Sequence, residues 1–443
     1  MTSQLLILPS SRPLQGSVPL PGDEGVALAR LALATLSRGR TSLSIAGEQG
    51  GVRALLGFLS EVGVQVKLEA GTVQVHGVGL FGLRGSAQTL DLRGEAHVAA
   101  LALALLVSRP FASQLLVDDV VGDLLIPALA ESHPLSTKEA EGGGRVVELH
   151  EVKEGERSRG ISVLTHGVFP WVKQALLIAG LRAKTETIVE EKLASADHLE
   201  RAMTRSRMPI DVQGTVASLH PPRDEDAVAP QIYEALGSHS LVAPVAAVAM
   251  SVADSSLNLR DVGQNPTQSD VLSIIRLFGA SMGVSPLGDR QGEPFGHISI
   301  RSAKIQPVRL GGETMIRSGD SALAFLGVAA RAHGESLFTD MVPQARGGDP
   351  RIFGRAIGLL RSAGVEAETT EHGLRVVGRP VKLLEPLHVT TGGDARLAVL
   401  ASILAVSARG ESIIDDVECL RNYFPRWVGT LKALGVDIRV KSS

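Results

Sequence analysis

The chain of 443 residues contains a single cysteine, Cys419. That excludes an intramolecular disulfide and any metal site built on paired thiolates. Cys419 lies among apolar residues and reads as a buried structural thiol, with a reducing compartment as its natural setting. An excess of one charge is also missing. The 44 Lys and Arg against 47 Asp and Glu leave a net charge of -3, which gives no reason to expect nucleic acid. Long apolar runs are absent as well. The two longest, 98–107 and 241–253, fall short of the roughly 18 residues a membrane span requires, so no membrane partner is expected. The opening MTSQLLILPSS has no basic segment and one short apolar run, which argues against a signal peptide and for a cytoplasmic protein. His133, His150, His166, His198 and His220 show no HxxxH spacing, and no nucleophile-elbow sequence occurs. Neither a metal nor another cofactor is expected.

What the chain does have is a recurring grammar, clearest at 400–417 (LASILAVSARGESIIDDV). An Ala/Leu-rich helical segment is closed by Gly or a small polar residue, and a Ser or Thr leads into a short β-branched run. The same order appears at 31–45, 101–119, 175–191, 248–262 and 324–340, a spacing of roughly 70 to 80 residues. A second signature places Gly where a helix ends and a strand begins: Val62-Gly63-Val64, Met282-Gly283-Val284, Ala363-Gly364-Val365 and Leu434-Gly435-Val436. Gly suits such a C′ position because it adopts the left-handed conformation without a Cβ penalty. Six βαβαββ-type units are therefore expected. Strands are predicted at 5–8 and 16–20 and a helix at 26–36. Residues 138–159, polar and Gly-rich, read as one strand between exposed loops. The Pro-rich acidic stretch 221–226 is the candidate crossing between domains.

Several motifs resemble a known family. Gln264-Asn265-Pro266-Thr267-Gln268 resembles an NPTR signature, and Gly311-Gly312-Glu313 running to Asp320 is similar to a GGE run ending in a catalytic Asp. Gly393-Asp394-Ala395-Arg396 resembles GDHR, Cys419 to Pro425 resembles CxxKSFP, and Ser195-Ala196-Asp197-His198 resembles SRDH. With Pro21-Gly22 at the start, they lie in the order and at the intervals of the 5-enolpyruvylshikimate-3-phosphate (EPSP) synthase family, the 3-phosphoshikimate 1-carboxyvinyltransferases. The resemblance covers essentially the whole chain. It implies an α/β, two-lobed enolpyruvyl-transferase-like fold with three repeats per lobe. The N-terminal lobe would span 21–230, and 1–20 plus 231–443 would form the C-terminal lobe. A monomer binding a small-molecule carboxylate in the cleft between lobes is expected.

The chemical positions depart from the family. Its PGSKS opening, whose Lys binds phosphoenolpyruvate (PEP), is here Pro21-Gly22-Asp23-Glu24-Gly25. Its next Arg aligns with Ala29, and Arg30 is one residue, about 100°, around the helix. The GNSGT loop becomes Gly94-Glu95-Ala96-His97-Val98 or a neighbouring register, and the SSQ phosphate loop becomes Val168-Phe169-Pro170. Phe169 and Trp171 there read as an apolar wall or as core. The family's proton-transferring Lys and Glu correspond to Gly347 and Gly348, and the last Lys of CxxKSFP to Asn422.

By resemblance Asp320 is the candidate catalytic residue, and Arg351, Arg396, Asp197 and Thr267 are candidate substrate-binding residues. Glu24 joins them through its place in the opening motif, and Arg93 as a substitute cation beside Arg30 and Lys173. Each key residue also has a simpler reading: Asp320 as a helix N-cap, Arg351 as a solvated surface residue, Arg396 as a partner of Asp394. In the family the equivalents of Arg351 and Arg396 hold the PEP carboxylate, a task suited to forked guanidinium donors. Three functions remain open. One is a remodelled enzyme acting on a shikimate-like carboxylate by addition-elimination or elimination, with Asp320 as base. The others are a genuine carboxyvinyltransferase using substitute residues and a non-catalytic ligand-binding paralogue.

Overall fold

The computed structural model describes residues 3–45, 49–86, 88–223, 228–341 and 351–442. At each of the six Ala/Leu-rich segments a helix runs into a strand. The helices are Glu24–Thr35, Ala96–Leu106, Pro170–Gly180, Val242–Met250, Ser321–Ala329 and Ala395–Ala405. They lead into strands Arg38–Ser44, Ser113–Val117, Thr187–Glu191, Ser256–Gly263, Glu335–Thr339 and Ser412–Asp415. These helices are apolar all round because they are enclosed all round. In Ala96–Leu106 every residue but His97 is buried. The strands alternate instead, as Ser113–Val117 does, and so bury one face only. No described helix is long and apolar enough to cross a membrane.

The strands form six four-stranded sheets with one pairing scheme. In the sheet around Ser113–Val117, Leu90–Asp91 pairs parallel on one side, Arg145–Leu149 antiparallel on the other, and Leu135–Glu139 lies antiparallel beyond it. Three sheets borrow a strand from far away in sequence. Ser3–Ile7 lies between Ser412–Asp415 and Ile438–Ser442. Gln15–Pro19 pairs parallel with Ser256–Gly263, and Ile232–Glu234 pairs parallel with Arg38–Ser44. Buried apolar residues accordingly fall into two clusters. One is built from residues between Val26 and Tyr233, the other from Leu5 to Leu20 together with Leu241 to Ile438.

The chain passes between the clusters twice, and the two passages bind each other. The Asp23 amide donates to the Leu236 carbonyl (3.1 Å) and the Ser238 amide to that of Pro21 (2.8 Å). The Ser238 hydroxyl donates to Asp23 Oδ2 at 2.7 Å. A Cβ on Gly237 would stand 3.1 Å from Leu20 Cβ, so the close approach favours glycine here.

Three local expectations need correction. Gly283 is inside the strand Ser281–Arg290; the left-handed residue after the helix Asp270–Leu277 is Gly279 (φ 94°), whereas Gly63, Gly364 and Gly435 are left-handed as expected. Residues 138–159 hold parts of a hairpin, Leu135–Glu139 and Arg145–Leu149, turning through left-handed Gly142, Gly143 and Gly144. The stretch 221–226 lies partly outside the described residues, and after it Ile232–Glu234 still pairs with Arg38–Ser44, so the chain changes cluster only beyond Glu234.

Candidate functional site

A cavity of about 290 Å³ opens where the two clusters meet, beside the paired passages. Several helices of eight or more residues begin at its wall. Asp23, Glu24 and Gly25 come from the start of Glu24–Thr35, and Gln49 and Gly51 from that of Gly50–Glu61. Glu95 and His97 open Ala96–Leu106. Phe169, Trp171 and Gln174 open Pro170–Gly180, where proline at the first helical position costs no hydrogen bond. His198 opens His198–Arg205, and Asp320 precedes Ser321–Ala329. The positive ends of these helix dipoles converge, and acidic side chains at such ends are stabilised by roughly 0.3–1 kcal/mol each. Asp23, Glu24, Glu95 and Asp320 occupy these positions. Among the described lining residues none is Lys or Arg.

Asp320 stands at the N-cap position, yet its side chain caps no amide. Instead Oδ1 accepts from Arg396 Nη1 at 3.1 Å. The other arms of Arg396 hold Asp394, with Nε to Oδ1 at 3.1 Å and Nη2 to Oδ2 at 2.8 Å. Burial pushes the Asp394 carboxyl up, but the hydrogen bonds and charge of Arg396 outweigh it and hold it below the usual range. Arg396 therefore has the partner expected from the sequence, Asp394, and a second that was not expected, the candidate catalytic Asp320. A smaller cavity of about 170 Å³ adjoins the first and shares Asp320 and Tyr423 with it; Thr267 and Arg317 line it. The Thr267 hydroxyl donates to Asn265 Oδ1 (2.7 Å), and Arg317 Nε to Asp270 Oδ2 (2.7 Å).

The remaining sequence candidates sit elsewhere. Asp197 accepts from Arg201 Nε (2.7 Å) and Asn265 Nδ2 (2.6 Å) and lines a separate groove. Arg351 is exposed at the first position of Arg351–Ser362 and is not among the residues lining either cavity. Arg93 is exposed on an outer sheet, bound to Asp91 at 2.7 Å, so it is not a cavity cation. Lys173 is buried away from the cavity between Glu191 (2.8 Å) and Glu200 (2.7 Å). Arg30 spends its donors on Gln231 Oε1 and the Gln291 carbonyl, both at 2.7 Å, and covers the Tyr233 ring. Gly347 and Gly348 lie outside the described residues. Cys419 is half-buried rather than buried; its thiol donates to the Asp416 carbonyl, and burial pushes its pKa up, against nucleophilic use.

Sequence reasoning missed both histidines of the cavity wall. His97 Nε2 meets Gln174 Oε1 at 2.7 Å, and burial pushes its pKa down to about 4. His198 is 4% exposed and pairs through Nδ1 with Glu293 Oε1 at 3.1 Å. Burial alone would lower its pKa, but the charge and hydrogen bond of Glu293, with Asp23 and Asp197 adding to them, raise it to about 9. The signal for His97 was its place at the second position of a helix otherwise free of polar residues. His198 stood in the Ser195-Ala196-Asp197-His198 motif, but no local signal gave its partner, because Glu293 is 95 residues away in sequence.

Six mixed sheets and a cavity between two buried clusters define an enolpyruvyl-transferase fold. EPSP synthase from Acinetobacter baumannii superposes with a TM-score of 0.83 at 22% identity, over the whole of both chains. The enolpyruvyl transferase NikO from Streptomyces tendae gives 0.77 at 16% identity, covering 100% of this chain and 99% of that one. In sequence, residues 9–431 match the family EPSP synthase (3-phosphoshikimate 1-carboxyvinyltransferase), and the chain belongs to it. The 3-phosphoshikimate 1-carboxyvinyltransferase of Halorhodospira halophila is 30% identical across 96% of this chain and 95% of its own. That of Geotalea uraniireducens is 28% identical across 98% and 100%.

Proposed function

We propose that the chain is an enzyme of this family whose cavity takes an unphosphorylated, carboxylate-bearing ring similar to shikimate, with Asp320 as the base. The observation that carries the reading is the wall itself, which has four carboxylates and, among its described residues, no Lys or Arg. Shikimate 3-phosphate and PEP each bring several negative charges. One well-placed ion pair at about 4 Å contributes roughly 4 kcal/mol before desolvation at an effective dielectric of 20. Micromolar binding needs about 8 kcal/mol. Helix ends supply part of that for a single carboxylate, and the described wall adds no Lys or Arg for two polyanions. Asp320, on the cavity wall and oriented by Arg396 Nη1 at 3.1 Å, would take a proton from a ring hydroxyl.

The curated relatives favour a second reading, transfer of the enolpyruvyl group of PEP to shikimate 3-phosphate. Against it, Lys173, Arg30 and Arg93, the cations that could substitute for those lost, are occupied away from the cavity. Thermal unfolding with shikimate, shikimate 3-phosphate and PEP, singly and in pairs, separates the readings. A ligand at 100 times its Kd stabilises by about 2.7 kcal/mol. Stabilisation by shikimate alone is expected; cooperative stabilisation by shikimate 3-phosphate with PEP would establish the second reading instead. Binding without turnover of any bound pair would identify a non-catalytic paralogue.

A further inference from the structure

His198 combines three features at one point of the cavity wall. It is nine-tenths buried, it lines the cavity, and its Nε2 meets no acceptor among the described residues. A buried donor left in this state costs about 1–3 kcal/mol unless something else receives it. The ring cannot turn the nitrogen elsewhere, because Nδ1 is held by Glu293, itself 2% exposed on the strand Glu293–Arg301. The opposite edge faces Gly25, where a Cβ would stand 3.8 Å from His198 Cδ2. Gly25 also lines the cavity, so the absence of a side chain there leaves this edge of the imidazole uncovered.

We infer that His198 is a ligand-binding residue of the cavity, donating Nε2–H to an acceptor oxygen on a polyhydroxylated, carboxylate-bearing ring. The inference rests on the reading of the cavity given above and adds a charged donor to a wall without Lys or Arg. The groups facing the imidazole fit that role. Glu293, Asp23 on the first helix and Asp197 at its own N-cap favour the imidazolium. His97 and His239 face it from two other elements, and both are held down by burial first and by the charge of His198 in addition. His198 is thus the histidine of this group that carries the proton at neutral pH, and a hydrogen bond from a charged donor is roughly twice as strong as a neutral one.

The test is NMR of the ring-labelled histidines in the intact protein, free and with shikimate, shikimate 3-phosphate or PEP. One imidazole should titrate near pH 9, disappear in His198→Asn, and move at Nε2 when a probe binds. In Glu293→Gln, which keeps shape and a hydrogen bond, that titration should fall toward neutrality. Affinity at pH 8 should then drop roughly tenfold or more, compared at a temperature where circular dichroism shows the ligand-free variant fully folded. A probe that binds while the His198 Nε2 resonance stays in place, or binds equally well to Glu293→Gln, overturns the inference and leaves the reading of the cavity standing. If none of the three probes binds, the reading of the cavity fails and the inference falls with it.

Discussion

Replacing Lys173 by methionine should destabilise the chain by about 3–5 kcal/mol, the range for removing one partner from a buried ion pair. The side chains of Lys173, Glu191 and Glu200 are 6%, 2% and 3% exposed, so water cannot stand in for the lost ammonium. Glu191 is partly compensated: its Oε2 accepts the Ser195 amide at 3.0 Å and its Oε1 the Ser195 hydroxyl at 2.6 Å. Glu200 is not; burial pushes its carboxyl up against the pull of Lys173. In the variant Glu200 holds its proton to a higher pH folded than unfolded. Between the two values the native state binds more protons, so stability falls as pH rises and the deficit shrinks toward pH 4. The two tryptophans make the assay local: Trp171 belongs to the same helix as Lys173 and to the first cluster, Trp427 to the second. In a Trp427→Phe background, urea unfolding followed by Trp171 fluorescence should show the loss at pH 7.5 and much less of it at pH 4.5. A loss below about 1 kcal/mol, equal at both pH values, would refute the account of the triad. Loss of ligand affinity without loss of stability would instead make Lys173 a substitute cation for substrate.

Asp320→Asn should lower turnover by roughly 10² to 10⁴-fold while leaving ligand affinity within a few-fold, checked by steady-state kinetics on whichever probe is turned over. Gly77→Ala should cost about 1–3 kcal/mol in urea unfolding, since its Cβ would stand 2.4 Å from the Ser37 carbonyl and 2.5 Å from that of Ala34. His133 is 4% exposed, bonds Ser108 Oγ through Nδ1 at 2.7 Å, and is pushed down to about 4 by burial. The unfolded chain protonates it near 6.5, so stability should decline as pH falls from about 6.5 to 4, by up to ~3 kcal/mol. His133→Gln should flatten that part of the stability–pH curve.

The alternation of enclosed helices and half-exposed strands was legible in the chain because both periodicities are local. A segment such as 98–107, ten residues long, apolar at every position and built of Ala, Leu and Val, reads as a helix buried on all sides, and the alternating run after it as a strand burying one face. Left-handed glycines at 63, 364 and 435 were legible for the same reason. The error at Gly283 shows the limit. Helix end and strand start were seen, but a Gly two residues into the strand looks like the Gly that ends the helix. The motifs around Asp320 and Arg396 were also legible, each as a short string. Their meeting was not, since the bond joins residues 76 apart. Tertiary structure alone decided which charged groups face the cavity. Lys173, next to the cavity residue Gln174, and Arg30, two residues past Leu28, turn into ion pairs and amides behind it, because each residue along a helix points about 100° further round. His198 faces the cavity as a cation only because a strand from the other cluster delivers Glu293 to its far side. Local sequence sets which elements form; the long-range pairing of Ser3–Ile7, Gln15–Pro19 and Ile232–Glu234 sets where they meet, and with that the charge of the site.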